Sequence, residues 1–317
     1  MSDAPWDCVI VGAGPAGLSA AVYMGRFRRR TVVLDCGDGR WSYGQLNQNY
    51  LGFPDGVSAR KLHDLGRRQA ENFGVHFREG EVQSIERTDP NFRLGSTFGP
   101  IEARSVIWAA GVRDHWPSFP GAHDLVGHHL FWCIVCDGWR TLGKSLLVLG
   151  NDRKAAGTTL QFLTYTQDIT LLVDPNDYKI DRRARRKLES RGIRVIADGI
   201  RKLHPRAGSC GSVELGGGEH LDPDIIFSLY GSSPRTELLR DLGVELASNG
   251  HVRIDDKNRT NLERFYAAGD VSNKHSHQVV SAAHEGAQAA QAANFFLYGS
   301  DQKLPPQPEE AVAQETH

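Results

Sequence analysis

The sequence lacks long apolar runs and an excess of charge of either sign. The apolar stretch at residues 8–11 is far shorter than the roughly 20 residues of a membrane-spanning helix, and residues 1–7 carry none of the basic residues that open a signal peptide. A formal net charge of -1 does not produce the positive electrostatic potential that would attract nucleic acid or an anionic membrane surface. We therefore expect a cytoplasmic protein with no nucleic-acid partner and no membrane span.

Cysteines are few and irregularly spaced. Five cysteines, an odd number, do not form the framework of a small secreted protein. Two of them form the C-x-x-C of Cys133 and Cys136, which Asp137 follows at once. Such a pair can close an easily reduced disulfide, and a neighbouring carboxylate can carry a proton to or from the leaving thiolate. The pair therefore predicts redox chemistry, while half of a zinc site or two inert core cysteines remain alternatives.

A zinc site would need two further Cys or His ligands at similar spacing, and none follows the C-x-x-C. Three histidines near the end of the chain have no acidic or cysteine partners at metal spacing, so we interpret them as surface or cofactor-rim residues rather than ligands. These are His275, His277 and His284. We expect no bound metal.

An apolar strand at residues 8–11 runs directly into a G-x-G-x-x-G motif that opens a helix. Its three glycines permit a tight turn, the approach of a pyrophosphate to backbone N–H groups, and close packing of helix on strand. The next strand, at residues 31–34, ends at Asp35, whose carboxylate suits a ribose hydroxyl and repels a 2′-phosphate. The motif predicts binding of NAD or FAD through Gly12, Gly14, Pro15, Ala16, Gly17 and Asp35.

Several later segments carry further candidate cofactor contacts. The polar and aromatic loop at residues 39–54 suits the rim of a planar heterocycle, with core-covering aromatics as the alternative. Two apolar strands end in small residues that permit close approach of a cofactor, and an alanine-rich helix at residues 281–297 offers a positive N-terminus to a flavin. The candidates are Gln45, Leu46 and Asn49 in the loop, Ala110 and Gly111, Gly269 and Asp270, and His277, Gln278 and Val279.

The middle of the chain repeats the strand, turn and helix of the N-terminal segment, but its turn is altered. Asp152 stands where the second glycine would let a pyrophosphate reach the backbone, and Asp174 closes the following strand in place of a basic residue. A carboxylate about 4 Å from a phosphate costs on the order of 1 to 4 kcal/mol, roughly a ten- to thousandfold loss of affinity. We therefore expect NADPH to bind poorly here. The arginine-rich segment 182–186 is interpreted as a solvated helix face, with docking of an acidic protein as the alternative.

The order of these parts over residues 6–298 resembles the low-molecular-weight thioredoxin reductases of the flavoprotein disulfide reductase family. The resemblance implies FAD on the terminal segments, an inserted pyridine-nucleotide-type domain that carries the disulfide, and a homodimer. It implies that Cys136 faces the flavin, that Cys133 attacks the substrate disulfide, and that Asp137 handles the proton. Asp270 would bind the ribityl and phosphate region of FAD. The thiol partner would be a protein such as thioredoxin, or a small molecule.

Asp152 and Asp174 differ from the residues found in that family. Its members keep small residues in the nucleotide-binding turn and have a basic residue after the second strand that recognises NADPH. In this respect the chain resembles the pyridine-nucleotide-independent cyanobacterial branches. These are the diflavin-linked disulfide oxidoreductases, in which a second FAD lies against the first, and the ferredoxin-linked flavin thioredoxin reductases. The aromatic loop, together with Trp132 and Trp139 near the cysteines, favours the diflavin branch.

We therefore predict an α/β protein with two Rossmann-like domains. Residues 1–115 and 247–317 would form the FAD domain, interrupted by a degenerate NADPH-type domain at residues 116–246. The expected activity is exchange of two electrons between flavin and the Cys133–Cys136 pair without NADPH as the direct partner. Three alternatives remain: a reductase that uses NADPH, one fed by an electron-transfer protein such as ferredoxin, and a flavin-binding redox sensor without turnover. The last residues, 299–317, are expected to be disordered.

Overall fold

The computed structural model describes residues 4–206, 208–274 and 276–304. Most of the C-terminal segment for which we expect disorder, and His275, lie outside these residues. The helices are α1 Pro15–Arg26, α2 Ala59–Glu71, α3 Ala122–Leu125, α4 Ile134–Asp137, α5 Arg153–Gln161, α6 Arg182–Glu189, α7 Glu237–Asp241 and α8 Val279–Leu297, with 3₁₀ turns at Arg40–Tyr43, Gly138–Thr141, Phe162–Thr164 and Ser300–Gln302. The strands are β1 Cys8–Val11, β2 Thr31–Asp35, β3 Leu46–Asn47, β4 Val57–Ser58, β5 His76–Glu79, β6 Val82–Thr88, β7 Asn91–Ser96, β8 Gly99–Ala103, β9 Val106–Trp108, β10 Val112–Asp114, β11 Leu130–Phe131, β12 Leu146–Leu149, β13 Ile169–Val173, β14 Arg194–Ala197, β15 Ile200–Arg206, β16 Ser209–Leu215, β17 His220–Leu221, β18 Ile225–Ser228, β19 Ser232–Pro234 and β20 Phe265–Ala267.

The chain folds into two compact units. The first comprises residues 1–37, 65–111 and 236–317, and the second comprises residues 38–64 and 112–235. These units differ from the predicted domains mainly in residues 38–64, which pack within the second unit because Arg40 pairs with Asp114 and Tyr43 packs on Trp116. Residues 236–246 fall in the first unit instead of the inserted one. Which unit carries which nucleotide remains a prediction.

The first unit is built on a parallel sheet in the order β20-β9-β1-β2-β5. Strands β1 and β9 at its centre are apolar throughout, as expected for a sheet that is covered on both faces. Helices α1 and α8 cover one face, where Ile10, Met24 and Ala289 are completely buried. The antiparallel strands β6-β7-β8 cover the other face through Phe92 and Leu94. The predicted dinucleotide-type architecture is therefore present.

The second unit repeats this plan with a parallel sheet in the order β11-β18-β12-β13-β14. Phe162 and Leu188, from the segments around α5 and α6, are buried against one face of its sheet. The antiparallel strands β15-β16-β17 contribute Leu203 and Val213 to the core on the other face. The expected α/β fold with two Rossmann-like units is therefore confirmed.

Helices α1 and α8 of the first unit approach each other through small residues. A Cβ on Gly286 would lie 2.0 Å from the carbonyl oxygen of Ala16, a distance that no side chain tolerates. By contrast, a Cβ on Gly157, within α5 of the second unit, would meet no atom within 4 Å. Glycine at position 286 is therefore required by backbone packing, whereas glycine at position 157 is not.

This contrast predicts opposite effects for the same substitution. Gly286→Ala should destabilise the protein by about 3 kcal/mol, because α8 must move away from α1. Gly157→Ala should stabilise it by roughly 0.5 to 1 kcal/mol, because alanine favours the helix and restricts the unfolded chain. Urea unfolding followed by far-UV circular dichroism measures both changes. Equal effects of the two substitutions would contradict the packing described here.

Candidate functional site

The first turn of the first unit is fixed by backbone contacts. Gly12 adopts a φ of +101°, and a Cβ there would lie 2.4 Å from the carbonyl oxygen of Ala109 and 3.2 Å from the Cα of Ala110. A Cβ on Gly17 would lie 1.8 Å from the carbonyl oxygen of Gly12. The first and third glycines are therefore required for the close packing of strand and helix that the motif predicts.

Gly14, the second glycine, has a different role. It is the N-cap of α1, with Pro15 directly after it, and a Cβ at Gly14 would meet no atom within 4 Å. The space in front of the N-terminus of α1 is thus open, where free N–H groups and the helix dipole favour a phosphate. Beside it, the backbone N–H of Ala13 donates to the Asp35 carboxylate over 3.0 Å. The residues present fit the pyrophosphate and ribose of a dinucleotide.

Gly269 closes one side of this turn. It has a φ of +79°, and a Cβ there would lie 2.8 Å from the Cβ of Ala16. Its N–H donates to the carboxylate of Glu285 over 2.8 Å, and the Ser272 hydroxyl donates to the same oxygen over 2.9 Å. Burial raises the pKa of Glu285, while these two donors act in the opposite direction. Glu285 could not be selected from the sequence, since a lone acid in an alanine-rich helix carries no motif.

The other predicted cofactor-binding residues of the first unit lie after the ends of strands or at the start of helix α8. Gly111 follows β9 with a φ of +68°. Asp270 follows Gly269 and is half-buried. His277 adopts a φ of 54° and Gln278 is the N-cap of α8, which begins at Val279. The structure therefore brings Gly12, Gly17, Asp35, Ala110 and Gly269 together around one turn.

The remaining cofactor candidates, Gln45, Leu46 and Asn49, belong to the second unit. Gln45 and Leu46 follow the 3₁₀ turn at Arg40–Tyr43, and Leu46 pairs with Ser58. The Oε1 atom of Gln45 is buried without a hydrogen-bond partner among the described residues. Such a buried acceptor is suited to accept a hydrogen bond from a bound group.

The second turn has the same strand and helix around it but a different cap. A Cβ on Gly150 would lie 2.5 Å from the Cβ of Ala155, which repeats the close packing of Gly12 and Gly17. Asp152 is the N-cap of α5, as Gly14 is of α1, and its carboxylate accepts from the N–H of Ala155 over 2.7 Å. The helix N-terminus is therefore already bonded to an anion of the chain itself.

The segment after β13 adds further negative charge beside this turn. The N–H of Asp174 donates to the side chain of Asn151 over 2.9 Å, and Asn151 in turn donates to Asp177 over 3.3 Å. Asp181, which caps α6, pairs with Arg153 in the first turn of α5. The edge of the sheet that would receive a nucleotide is thus lined with carboxylates.

Cys133 and Cys136 form a disulfide in the second unit, with Cα atoms 5.3 Å apart. Cys133 is the N-cap of the short helix α4, and its sulfur accepts from the N–H of Cys136 over 3.1 Å. This donor stabilises negative charge on the sulfur of Cys133 when the disulfide opens. Both cysteines are half-buried, and Val135 between them is 72% exposed, so a partner thiol can approach.

Asp137 is buried at 6% exposure and pairs with Arg140, whose Nε lies 2.6 Å from the carboxylate. Burial raises the pKa of Asp137, and the Arg140 guanidinium lowers it. Arg140 is a second residue that the sequence did not select, because an arginine near a C-x-x-C has no recognised motif.

Residues 4–206, 208–274 and 276–304 contain neither a metal-binding cluster nor a membrane-spanning helix. No group of three or more His, Cys, Asp and Glu side chains there has the geometry to hold a metal ion. None of the helices in this part of the chain is both long and apolar enough to span a membrane.

Fold and site together define an α/β protein with two Rossmann-like units, a glycine-rich turn that fits a dinucleotide and a Cys133–Cys136 disulfide. A model of the family "Pyridine nucleotide-disulphide oxidoreductase" matches residues 6–289, and the chain belongs to this family. A thioredoxin reductase from Treponema pallidum is 31% identical over 300 residues, covering 92% of this chain and 97% of that protein. The "NADPH-dependent thioredoxin reductase 3" of Arabidopsis thaliana is 29% identical over 96% of this chain and 61% of its own length.

Solved structures agree with this assignment. The structure of HlmI superposes with a TM-score of 0.85 at 28% identity, covering 99% of this chain and 96% of that one. A putative thioredoxin reductase TrxB from Bacillus anthracis has a TM-score of 0.83 at 26% identity, covering 94% of this chain and 100% of that one. Family membership implies FAD binding and makes the chain a thioredoxin reductase-like flavin disulfide oxidoreductase.

The open cradle at Gly14 gives a prediction for cofactor binding. Gly14→Ala should leave the fold intact, because the added methyl group meets no protein atom, yet weaken FAD binding about tenfold, since it occupies space near the pyrophosphate. The flavin content of purified protein and titration of the apoprotein with FAD measure this. Gly12→Ala is the control, and it should reduce folded protein itself. Normal FAD affinity in Gly14→Ala would contradict the assignment.

Proposed function

We propose that the protein is an FAD-dependent oxidoreductase that exchanges two electrons between flavin and the Cys133–Cys136 pair, without NADPH as its direct partner. The cofactor residues would be those around Gly14 and Asp35, with Asp270, the start of α8 and the loop from Gln45 to Asn49. Thioredoxin or another dithiol is the expected thiol partner, because the named relatives are thioredoxin reductases.

The observation that carries this proposal is the carboxylate cap of α5. At the equivalent position of α1, Gly14 leaves the helix N-terminus open, whereas Asp152 bonds to the Ala155 N–H and places a charge where a pyrophosphate would lie. Asp174 and Asp177 add charge beside it, and burial together with these two carboxylates raises the pKa of Tyr230 nearby. The carboxylates at the second turn would therefore repel a phosphate, whereas the first turn fits one.

The chain's own residues would perform the thiol chemistry as follows. A partner dithiol becomes a disulfide as the Cys133–Cys136 bond opens to two thiols. Closing that bond again releases two electrons and two protons: Asp137 takes one proton from a cysteine thiol as that thiol becomes the attacking thiolate, and the second proton leaves with the electrons or to solvent. Bound FAD would supply the two-electron acceptor in this direction, or the donor in the reverse direction.

One relative favours a second candidate, a reductase that uses NADPH directly. The Arabidopsis protein is named as NADPH-dependent and is 29% identical to this chain. Arg153 and Lys154 at the start of α5 would then offset part of the charge of Asp152. The two candidates differ in whether NADPH reduces the flavin.

Anaerobic titration of the FAD-loaded protein separates them. Dithiothreitol should bleach the flavin absorbance of the wild type but not of Cys136→Ser, and NADPH should bleach neither at stoichiometric concentration. The FAD-to-chain ratio after denaturation decides between one flavin and two. Bleaching by stoichiometric NADPH would refute the proposal, and failure of dithiothreitol would favour a sensor without turnover.

Asp152→Gly should partly restore the second turn. Removing the carboxylate opens the N-terminus of α5, so NADPH should bind at least about tenfold more tightly than to the wild type, as expected for loss of a repulsion of about 1 to 4 kcal/mol. Isothermal titration measures this affinity. Asp168→Gly, which removes an acid before β13 in the same unit, is the control. Unchanged affinity in Asp152→Gly would show that the cap does not exclude the nucleotide.

A further inference from the structure

Arg140 makes more specific contacts than a surface arginine would need. Its Nε donates to the carboxylate of Asp137 over 2.6 Å, and a terminal nitrogen donates to the carbonyl oxygen of Leu46 over 3.2 Å. Its guanidinium carbon lies 5.2 Å from the ring centre of Phe131 and 5.6 Å from that of Trp139. The side chain is only 22% exposed, so its charge is held in one place between two rings and two acceptors.

The local backbone explains this placement. Helix α4 ends at Asp137, and a 3₁₀ turn over Gly138–Thr141 continues it, so that Asp137 and Arg140 lie on the same side at a spacing of three residues. A Cβ on Gly138 would lie 2.9 Å from the Ile134 side chain and 3.0 Å from the Tyr165 ring. Close packing at Gly138 therefore fixes the turn that presents Arg140 to the acid.

The electrostatic surroundings of Asp137 are simple. Besides burial, Arg140 is the one group in the described part of the chain that shifts its pKa appreciably. The disulfide sulfurs are uncharged while they are bonded, and the residues next to Asp137 in α4 are apolar or cysteine. The charge of Asp137 is therefore set mainly by a balance between its burial and a single guanidinium.

We propose that Arg140 is a positioning residue that keeps Asp137 ionised and oriented as the proton acceptor of the Cys133–Cys136 pair. This inference rests on the proposed function, because it concerns the same disulfide. Arg140 acts through Asp137, to whose carboxylate its Nε donates. Its bond to the Leu46 carbonyl ties this acid to the loop that we expect to contact the flavin.

Removal of Arg140 has a defined consequence. A buried carboxylate without its partner protonates more easily, so the pKa of Asp137 rises in Arg140→Met. The step that needs ionised Asp137 gains rate as pH increases through this pKa. In a plot of rate against pH, the part that rises with pH (the ascending limb) should therefore move to higher pH in Arg140→Met. The expected shift is about one pH unit, since an adjacent arginine lowers an aspartate pKa by roughly 1 to 3 units.

The test is the pH profile of anaerobic flavin reduction by dithiothreitol, followed by stopped-flow absorbance. Observed rates are divided by the thiolate fraction of dithiothreitol at each pH, so that only protein groups shape the profile. At pH values on the ascending limb, the flavin of Arg140→Met should be reduced about tenfold more slowly than that of the wild type. The rate for Arg140→Lys should lie between the two, because lysine keeps the positive charge but lacks the planar guanidinium that can donate two hydrogen bonds side by side.

Two controls separate this role from a structural one. Arg194→Met breaks another arginine–carboxylate pair of the second unit, the one with Glu219 at 2.7 Å, and should leave the limb in place. In an Asp137→Asn background, Arg140→Met should cause no further shift. If Arg140→Met does not fold, Arg140→Lys decides, since it must still show a smaller upward shift.

The role of Arg140 and the proposed flavin–disulfide activity can fail separately in this experiment. A limb that stays in place in Arg140→Met, with flavin still reduced by dithiothreitol, overturns the role of Arg140 and leaves the proposed function standing. A shift that persists in the Asp137→Asn background also overturns it. Failure of dithiothreitol to reduce the wild-type flavin overturns both. A shift that requires Asp137 supports the inference.

Discussion

The N-terminus of a helix that follows a parallel strand has N–H groups that must bond to something. This chain contains that arrangement twice and satisfies it differently each time. At α1 the cap is Gly14, which contributes no side chain and leaves the N–H groups to a ligand. At α5 the cap is Asp152, whose carboxylate bonds to Ala155. The residue at the cap therefore determines whether the N–H groups at the start of the helix stay open to an anion from outside the chain or bond to a carboxylate of the chain itself.

Much of the fold could be predicted from sequence because it depends on local patterns. The apolar strands, the glycine spacing and the repeat of the first unit by the second are all visible along the chain, and the helix predicted at residues 281–297 ends with α8 and begins two residues inside it. Asp152 was also recognisable as a departure, although only as a repelling charge. Its hydrogen bond to Ala155 depends on the geometry of the cap, which a motif does not specify.

Contacts between residues distant in sequence were not predictable in this way. Residues 38–64 were assigned to the first domain by sequence order, yet Arg40 bonds to Asp114, and Tyr43 packs edge to face on Trp116 and Trp132. These pairs are separated by more than seventy positions, so no local period shows them. The same reasoning applies to Glu285, whose partners Gly269 and Ser272 reach it only because α8 folds back on α1.

Glu285 and Asp137 are both buried acids with raised pKa values, but their partners differ in kind. Glu285 accepts from a backbone N–H and a hydroxyl, neutral donors that hold its position and the positive-φ turn at Gly269. Asp137 is paired with a cation, which favours its charged form and so keeps it able to accept a proton. Burial raises the pKa of both carboxyls, but only Asp137 lies beside a disulfide that gains and loses protons as it opens and closes. Burial is therefore common to the two acids, and what distinguishes them is the partner: neutral donors at Glu285 and a guanidinium at Asp137.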